Sequence, residues 1–124
     1  MNRFMVGCSE SELYASGSVL GSNLIVESGS TANVCEWDDS LLGKTIRAVC
    51  DGHNFDFTFN GDTGKMQKSI PEGHGNVTYI IVRFFKNGGS FAVTCYSYYH
   101  VFDFQHGYED DIPIPASISQ IIIL

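Results

Sequence analysis

Basic residues are scarce in this chain. Seven Lys and Arg stand against fourteen Asp and Glu, a formal net charge of −7. That balance argues against nucleic acid, whose phosphates are met by cationic side chains that displace counterions, and against an anionic membrane surface. Long apolar runs are also missing: none approaches the ~18 residues a membrane-spanning helix needs, so no membrane insertion is expected. The opening stretch, Met1 to Cys8, has one Arg and no extended apolar segment. It does not read as a secretory signal, and the expected location is the cytoplasm, with export by a signal-free route as the other option. The four cysteines, Cys8, Cys35, Cys50 and Cys95, lack C-x-x-C spacing, which disfavours a zinc site. Without a signal they read as reduced thiols, Cys50 and Cys95 buried in strands; a disulfide stays open for an oxidising compartment, its pairing unspecified. No window carries sustained helical periodicity, and there is no repeat, low-complexity segment or linker. The 124 residues therefore read as a single domain, 1–124.

What is present favours strands. Hydrophobic residues make up 44% of the chain and aromatic ones 13%, enough for a folded core, and the aromatics fall in alternating runs punctuated by glycine. The clearest run is Asn54 to Asn60. Side chains alternate across a strand, so Phe55, Phe57 and Phe59 share one face while Asn54, Asp56, Thr58 and Asn60 share the other. Thr45 to Cys50 reads as its hairpin partner across a tight turn at Asp51-Gly52-His53-Asn54, with the strand resuming at Phe55. Further strands are expected at Asn23–Ser28, Val77–Phe85, Phe91–Tyr96, His100–His106 and Ile118–Leu124. Turns are expected at Asn87-Gly88-Gly89 and Ser97-Tyr98-Tyr99, a short polar strand or loop at Lys65–Ile70, and an acidic loop at Tyr108–Asp111. The fold class is all-β, an antiparallel sandwich, with Phe55, Phe57, Phe59, Tyr79, Ile81, Phe91, Val93, Phe102 and Phe104 leading the core.

Function turns on the row Asn54, Asp56, Thr58, Asn60. It is either a platform of hydrogen-bonding groups suited to sugar hydroxyls, with Tyr96, Tyr98 or Tyr99 as a stacking ring, or the ordinary wet face of a sandwich. The other polar clusters carry less. His100 and His106, six apart in an extended strand, would stand about 20 Å apart, too far for one metal. Glu109-Asp110-Asp111 lacks the ordered spacing of a calcium loop and reads as solvated acid, as do Glu36, Asp38 and Asp39. His53 and His74 sit in turn-like sequence. No nucleophile–base pair, paired strand carboxylates or phosphate loop stands out, so neither an enzyme nor a cofactor is expected.

The block Val77 to Leu124 resembles the C-terminal half of galectins. Phe91-Ala92-Val93, then His100, Phe102, Phe104 and His106, then Ile118, Ile121 and Ile123 follow that family's spacing, as does Gly21-x-x-Leu24-Ile25-Val26 in the N-terminal half. The resemblance implies a galectin-like jelly roll, one strand short in the sugar-binding region, and non-catalytic carbohydrate binding through an altered β-galactoside site. The family's His, Asn and Arg fall on Thr58, Asn60 and Asp62, and Lys68 falls on a basic position. The implied contacts are therefore Asn60, Thr58, Asp56, Asp62 and Lys68. The implied partner is a glycan or glycoprotein, with a homodimer through the apolar terminal strand. The competing expectation is a protein-interaction or structural module that kept the fold and lost the sugar.

Overall fold

The computed structural model of the chain describes residues 8–12, 18–20, 24–26, 31–60, 63–87 and 89–124. Among them run β1 (Cys8–Glu12), β2 (Ser18–Leu20), β3 (Leu24–Val26), β4 (Thr31–Glu36), β5 (Thr45–Cys50), β6 (His53–Thr58), β7 (Gly64–Gly73), β8 (Asn76–Asn87), β9 (Ser90–Asp103), β10 (Tyr108–Ile114) and β11 (Ile118–Ile123). They form the expected all-β antiparallel sandwich. The larger sheet has the order β1-β4-β9-β8-β7; the smaller is β11-β5-β6, and β2 pairs β3. β9 is long enough to serve two neighbours on one side. Its first half pairs β4 and its second half pairs β10, while β8 runs along its other edge.

Two-residue loops set the hairpin registers. Asp51 (φ 49°) and Gly52 (φ 79°) join Cys50 to His53, its cross-strand partner. Both loop residues have positive φ, the geometry whose twist matches that of the flanking strands. His74 (φ 58°) and Gly75 (φ 82°) do the same between β7 and β8.

The core lies between the two sheets. Phe55, Phe59, Ile46, Ala48 and Ile121 come from the small-sheet side, and Ile80, Val82, Phe84, Phe91 and Val93 from the large. Phe57 is half-buried, stacked on Phe84 (4.9 Å) and edge-on to Phe59 (5.1 Å). Gly64 is where β7 begins to cross this ring: a Cβ there would collide with Phe57. Asn33 is also fully buried, and its two amide atoms find no partner among the described residues. An amide left unpaired in this way costs about 1–3 kcal/mol.

Five expectations are corrected. The core cluster takes Ile80, Val82 and Phe84 from β8; Ile81 is buried as expected but lies outside that cluster, and Tyr79 is half-buried, because the run is largely apolar on both sides and alternation alone leaves its phase open. Ser97-Tyr98-Tyr99 is not a turn. β9 continues through it, since the buried Ser97 hydroxyl is satisfied by donating to the Tyr79 carbonyl of the neighbouring strand (2.9 Å). Strand β9 stops at Asp103, so Phe104 and His106 fall in the following turn and Phe104, expected in the core, is 81% exposed. Tyr108–Asp111 is not a loop but the start of edge strand β10, and β7 likewise runs through Pro71 to Gly73. Among the described residues both strands stand at a sheet edge, where a missing N–H and a row of charges are tolerated. Finally, the cysteines are not free thiols: Cys8 is bonded to Cys35, and Cys50 to Cys95. The second pair ties β5 of the small sheet to β9 of the large one.

Candidate functional site

The outer face of the three-stranded sheet presents the polar row anticipated from sequence. In β6, Phe55 points inward and is fully buried, so Asn54, Asp56 and Thr58 are turned to solvent. Register then decides what each meets. Asp56 stands opposite Arg47 and Thr58 opposite Thr45. Arg47 grips Asp56 as a two-pronged fork: Nε donates to Oδ1 at 2.8 Å and a terminal N–H to Oδ2 at 3.0 Å. The two threonine hydroxyls share a 2.9 Å hydrogen bond. On the next strand, Ile122 pairs with Arg47 and Gln120 with Val49.

The hydrogen bond from Arg47 holds the Asp56 carboxyl below its ordinary range, with a smaller Coulombic pull from Lys68. Asp56 in turn raises the Arg47 guanidinium. Both groups stay charged at neutral pH. The fork uses two of five guanidinium N–H groups and one lone pair on each carboxylate oxygen. The remaining groups belong to side chains that are 32% and 38% exposed, one set donating and one accepting. Adjacent hydroxyls on a ring both donate and accept, and this pair can satisfy both roles at once. On this face Asp56 is the only carboxylate among the described residues.

The remaining sequence candidates are dispersed. Asn60 is exposed beyond the end of β6, in the link to β7. Lys68 belongs to the other sheet, where its Nζ lies over the inward-pointing Phe55 ring at 5.0 Å and its charge reaches Asp56. Asp62 lies outside the described residues. Tyr96 and Tyr98 are also in the large sheet, where Tyr98 stacks on Tyr79 at 5.0 Å, so they are not a ring over the row. Sequence reasoning missed Arg47. The signal was available: a two-residue Asp51-Gly52 loop places position 47 opposite position 56.

Compared with protein-family models, curated proteins and solved structures, the chain matches none of them. Among the described residues no cluster of three or more His, Cys, Asp or Glu side chains is gathered for a metal, and no helix is long and apolar enough to cross a membrane.

A second charged group sits at the far end of the large sheet. His100 of β9 faces Asp111 of β10, Nδ1 to Oδ1 at 2.6 Å, with Glu109 at 3.8 Å from Nε2. The hydrogen bond to Asp111 leads in raising the imidazole above its ordinary 6.5, and the charges of Asp111 and Glu109 add to it. A raised folded-state value means the protonated ring stabilises the β9–β10 pairing below about pH 6.5, and that this contribution fades as pH rises through the folded value. Replacing His100→Gln should therefore lower the melting temperature at about pH 5.5 and leave it nearly unchanged at about pH 8.5. Parallel melts of the two proteins check this; a deficit that is constant with pH would rule out the ionic contribution.

Proposed function

We propose that this protein is a non-catalytic carbohydrate-binding module, a divergent galectin-like β-sandwich whose contact surface is the outer face of the β11-β5-β6 sheet. The observation that carries the reading is the Arg47–Asp56 fork, flanked by exposed Asn54 and by Thr58. It offers paired donors and acceptors on a rigid strand pair, the chemistry that adjacent sugar hydroxyls require. Asn60 borders this surface, the charge of Lys68 reaches it at Asp56, and Asp62 completes the set that the resemblance implies. A handful of exposed hydrogen bonds supports affinity of roughly millimolar to high micromolar order.

Two further features accompany the proposal. The pairing of all four cysteines supports an oxidising working environment, outside the reducing cytosol. Among the described residues strand β11 pairs with β5 on one side, and it ends in exposed Ile123 and Leu124, which supports a homodimer through that end. Two linked sites would raise weak affinity into useful avidity. The competing module that has lost the sugar is supported by a separate observation, the exposed Phe104 at the opposite end of the molecule.

The test is a broad glycan array with free lactose as competitor, run on wild type and on Arg47→Ala. Wild type is expected to retain a defined glycan set and Arg47→Ala to lose at least about tenfold of it, a hydrogen-bonded charge being worth roughly 1.5–3 kcal/mol. Competition by lactose would identify a galactoside site, and indifference to lactose another sugar. A blank array with a folded wild-type protein would end the lectin reading. Sedimentation of the same sample reports whether the binding species is the dimer.

A further inference from the structure

The end of the large sheet remote from the polar face holds a shallow, largely open cleft of about 560 Å³, lined by His74, Gly75, Val101, Phe102, Asp103, Phe104 and Gln105. Its walls come from two hairpin ends, the His74-Gly75 loop between β7 and β8 and the Phe104–Gly107 turn between β9 and β10. Three facts distinguish it from an incidental dent.

The turn is fixed. Asp103 Oδ1 accepts the backbone N–H groups of Gln105 (3.0 Å) and His106 (3.3 Å), and its Oδ2 meets His106 Nδ1 at 2.8 Å. The Phe102 N–H is held by Asn76 Oδ1 at 2.8 Å. A ring presented from such a frame loses little freedom when it is covered.

The ring itself is unburied. Phe104 stands 81% exposed, edge-on to Phe102 at 4.3 Å and 82°. Gly75 makes room for this wall, since a Cβ there would press on Phe102 Cδ1 at 3.3 Å. An exposed aromatic anchor at the mouth of a cleft is the kind of group that dominates a protein contact once desolvated.

Among the described residues Lys and Arg are absent around it; the basic groups at this end are His74, His100, which pairs with Asp111, and His106, which pairs with Asp103. All seven Lys and Arg lie at or before Lys86, and none falls between Lys68 and Arg83. The second half of β9, all of β10 and the adjoining ends of β7 and β8 instead carry Glu72, Asp103, Glu109, Asp110 and Asp111. Asp103 lines the cleft beside the aromatic rings. A π-face next to a carboxylate favours a cation with an apolar stem.

We infer that this cleft docks a basic segment of a partner protein, seating a Lys or Arg side chain against Phe104 and Asp103. The site lies on the other sheet from the proposed sugar surface and is independent of it. An anionic membrane, the other surface that an exposed Phe can enter, is disfavoured by the same acids.

The experiment is fluorescence anisotropy of a fluorescein-labelled peptide of alternating Arg-Gly and Lys-Ser units, titrated with the full chain at low salt. A Glu-for-Arg/Lys peptide and phosphatidylserine vesicles serve as comparisons. Wild type is expected to saturate in the high-micromolar range with the basic peptide alone. Phe104→Ala should weaken binding about tenfold with no change in melting temperature, as its exposure requires. Phe104→Trp should retain or tighten it, because indole is the better cation–π face. Asp103→Asn, which can still accept the turn N–H groups, should weaken binding several-fold and flatten its salt dependence. Four results overturn the inference: no saturation by about 1 mM, equal binding by Phe104→Ala, equal binding of the acidic peptide, or preference for vesicles.

Discussion

Removing the inter-sheet disulfide by Cys50→Ala with Cys95→Ala is expected to cost about 4 kcal/mol of unfolding free energy. The two cysteines are fully buried and 45 residues apart in sequence, and their bond is the covalent link between β5 of the small sheet and β9 of the large. Closing a loop of that length in advance removes a large set of conformations from the unfolded chain, and a chain-entropy estimate for it comes to roughly 4 kcal/mol. Domains of this size hold only about 5–15 kcal/mol in total, so the variant should stand near the edge of folding. Denaturant midpoints of wild type and the double variant, both with Cys8–Cys35 intact, measure the effect. A loss below about 1 kcal/mol would mean that the sandwich interface alone holds the sheets together. In a Cys8→Ala/Cys35→Ala background, where Cys50–Cys95 is the one remaining disulfide, a comparable loss on adding dithiothreitol would show that the bond, rather than the volume of the two side chains, carries the effect.

That bond also marks where the sequence reading stopped. Cysteine spacing identifies zinc motifs well and disulfides poorly, because a disulfide depends on which strands the fold brings together. Position 50 and position 95 are neighbours only once two sheets have closed on each other. Local signals fared better. Asp51-Gly52 was legible as a tight turn because the loop demands positive φ, and the alternation from Asn54 to Thr58 was legible because one face is purely aromatic and the other purely polar. β8 shows the converse. With apolar residues on both faces, from Tyr79 to Phe85, the pattern announces a strand and conceals which way it faces. β10 was hidden by its acids, since charge reads as loop until a partner such as His100 is known to stand opposite Asp111. For the candidate site, the row itself was visible and its organisation was not. Arg47 enters only through hairpin register, and Lys68 departs only through the chain's passage from one sheet to the other between β6 and β7.

The second large effect is expected at Phe59, where Phe59→Ala should cost about 3–5 kcal/mol. Phe59 is the last aromatic of the alternating run, just past the end of β6, and it is 1% exposed. Four rings converge on it: Phe57 at 5.1 Å, Phe91 at 5.2 Å, Trp37 at 5.3 Å and Phe84 at 6.3 Å, all edge-to-face. These belong to both sheets and to the segment after β4, so one ring joins three parts of the chain. Its backbone is fixed as well, with the N–H donating to the Lys44 carbonyl at 3.1 Å and the carbonyl accepting from Gly43 at 2.8 Å. Phe59 therefore cannot slide into the space its own truncation would open, and neighbouring rings held in edge-to-face contact repack poorly around a smaller side chain. Phe59→Leu, which keeps most of the volume and loses the ring contacts, should cost clearly less than the alanine variant. Urea unfolding of the three proteins separates the volume of the side chain from its aromatic geometry. If alanine were tolerated at a cost below about 1.5 kcal/mol, the cluster would not be a closed core, and the polar face that β6 presents outward would lose the rigid backing on which the Arg47–Asp56 fork depends.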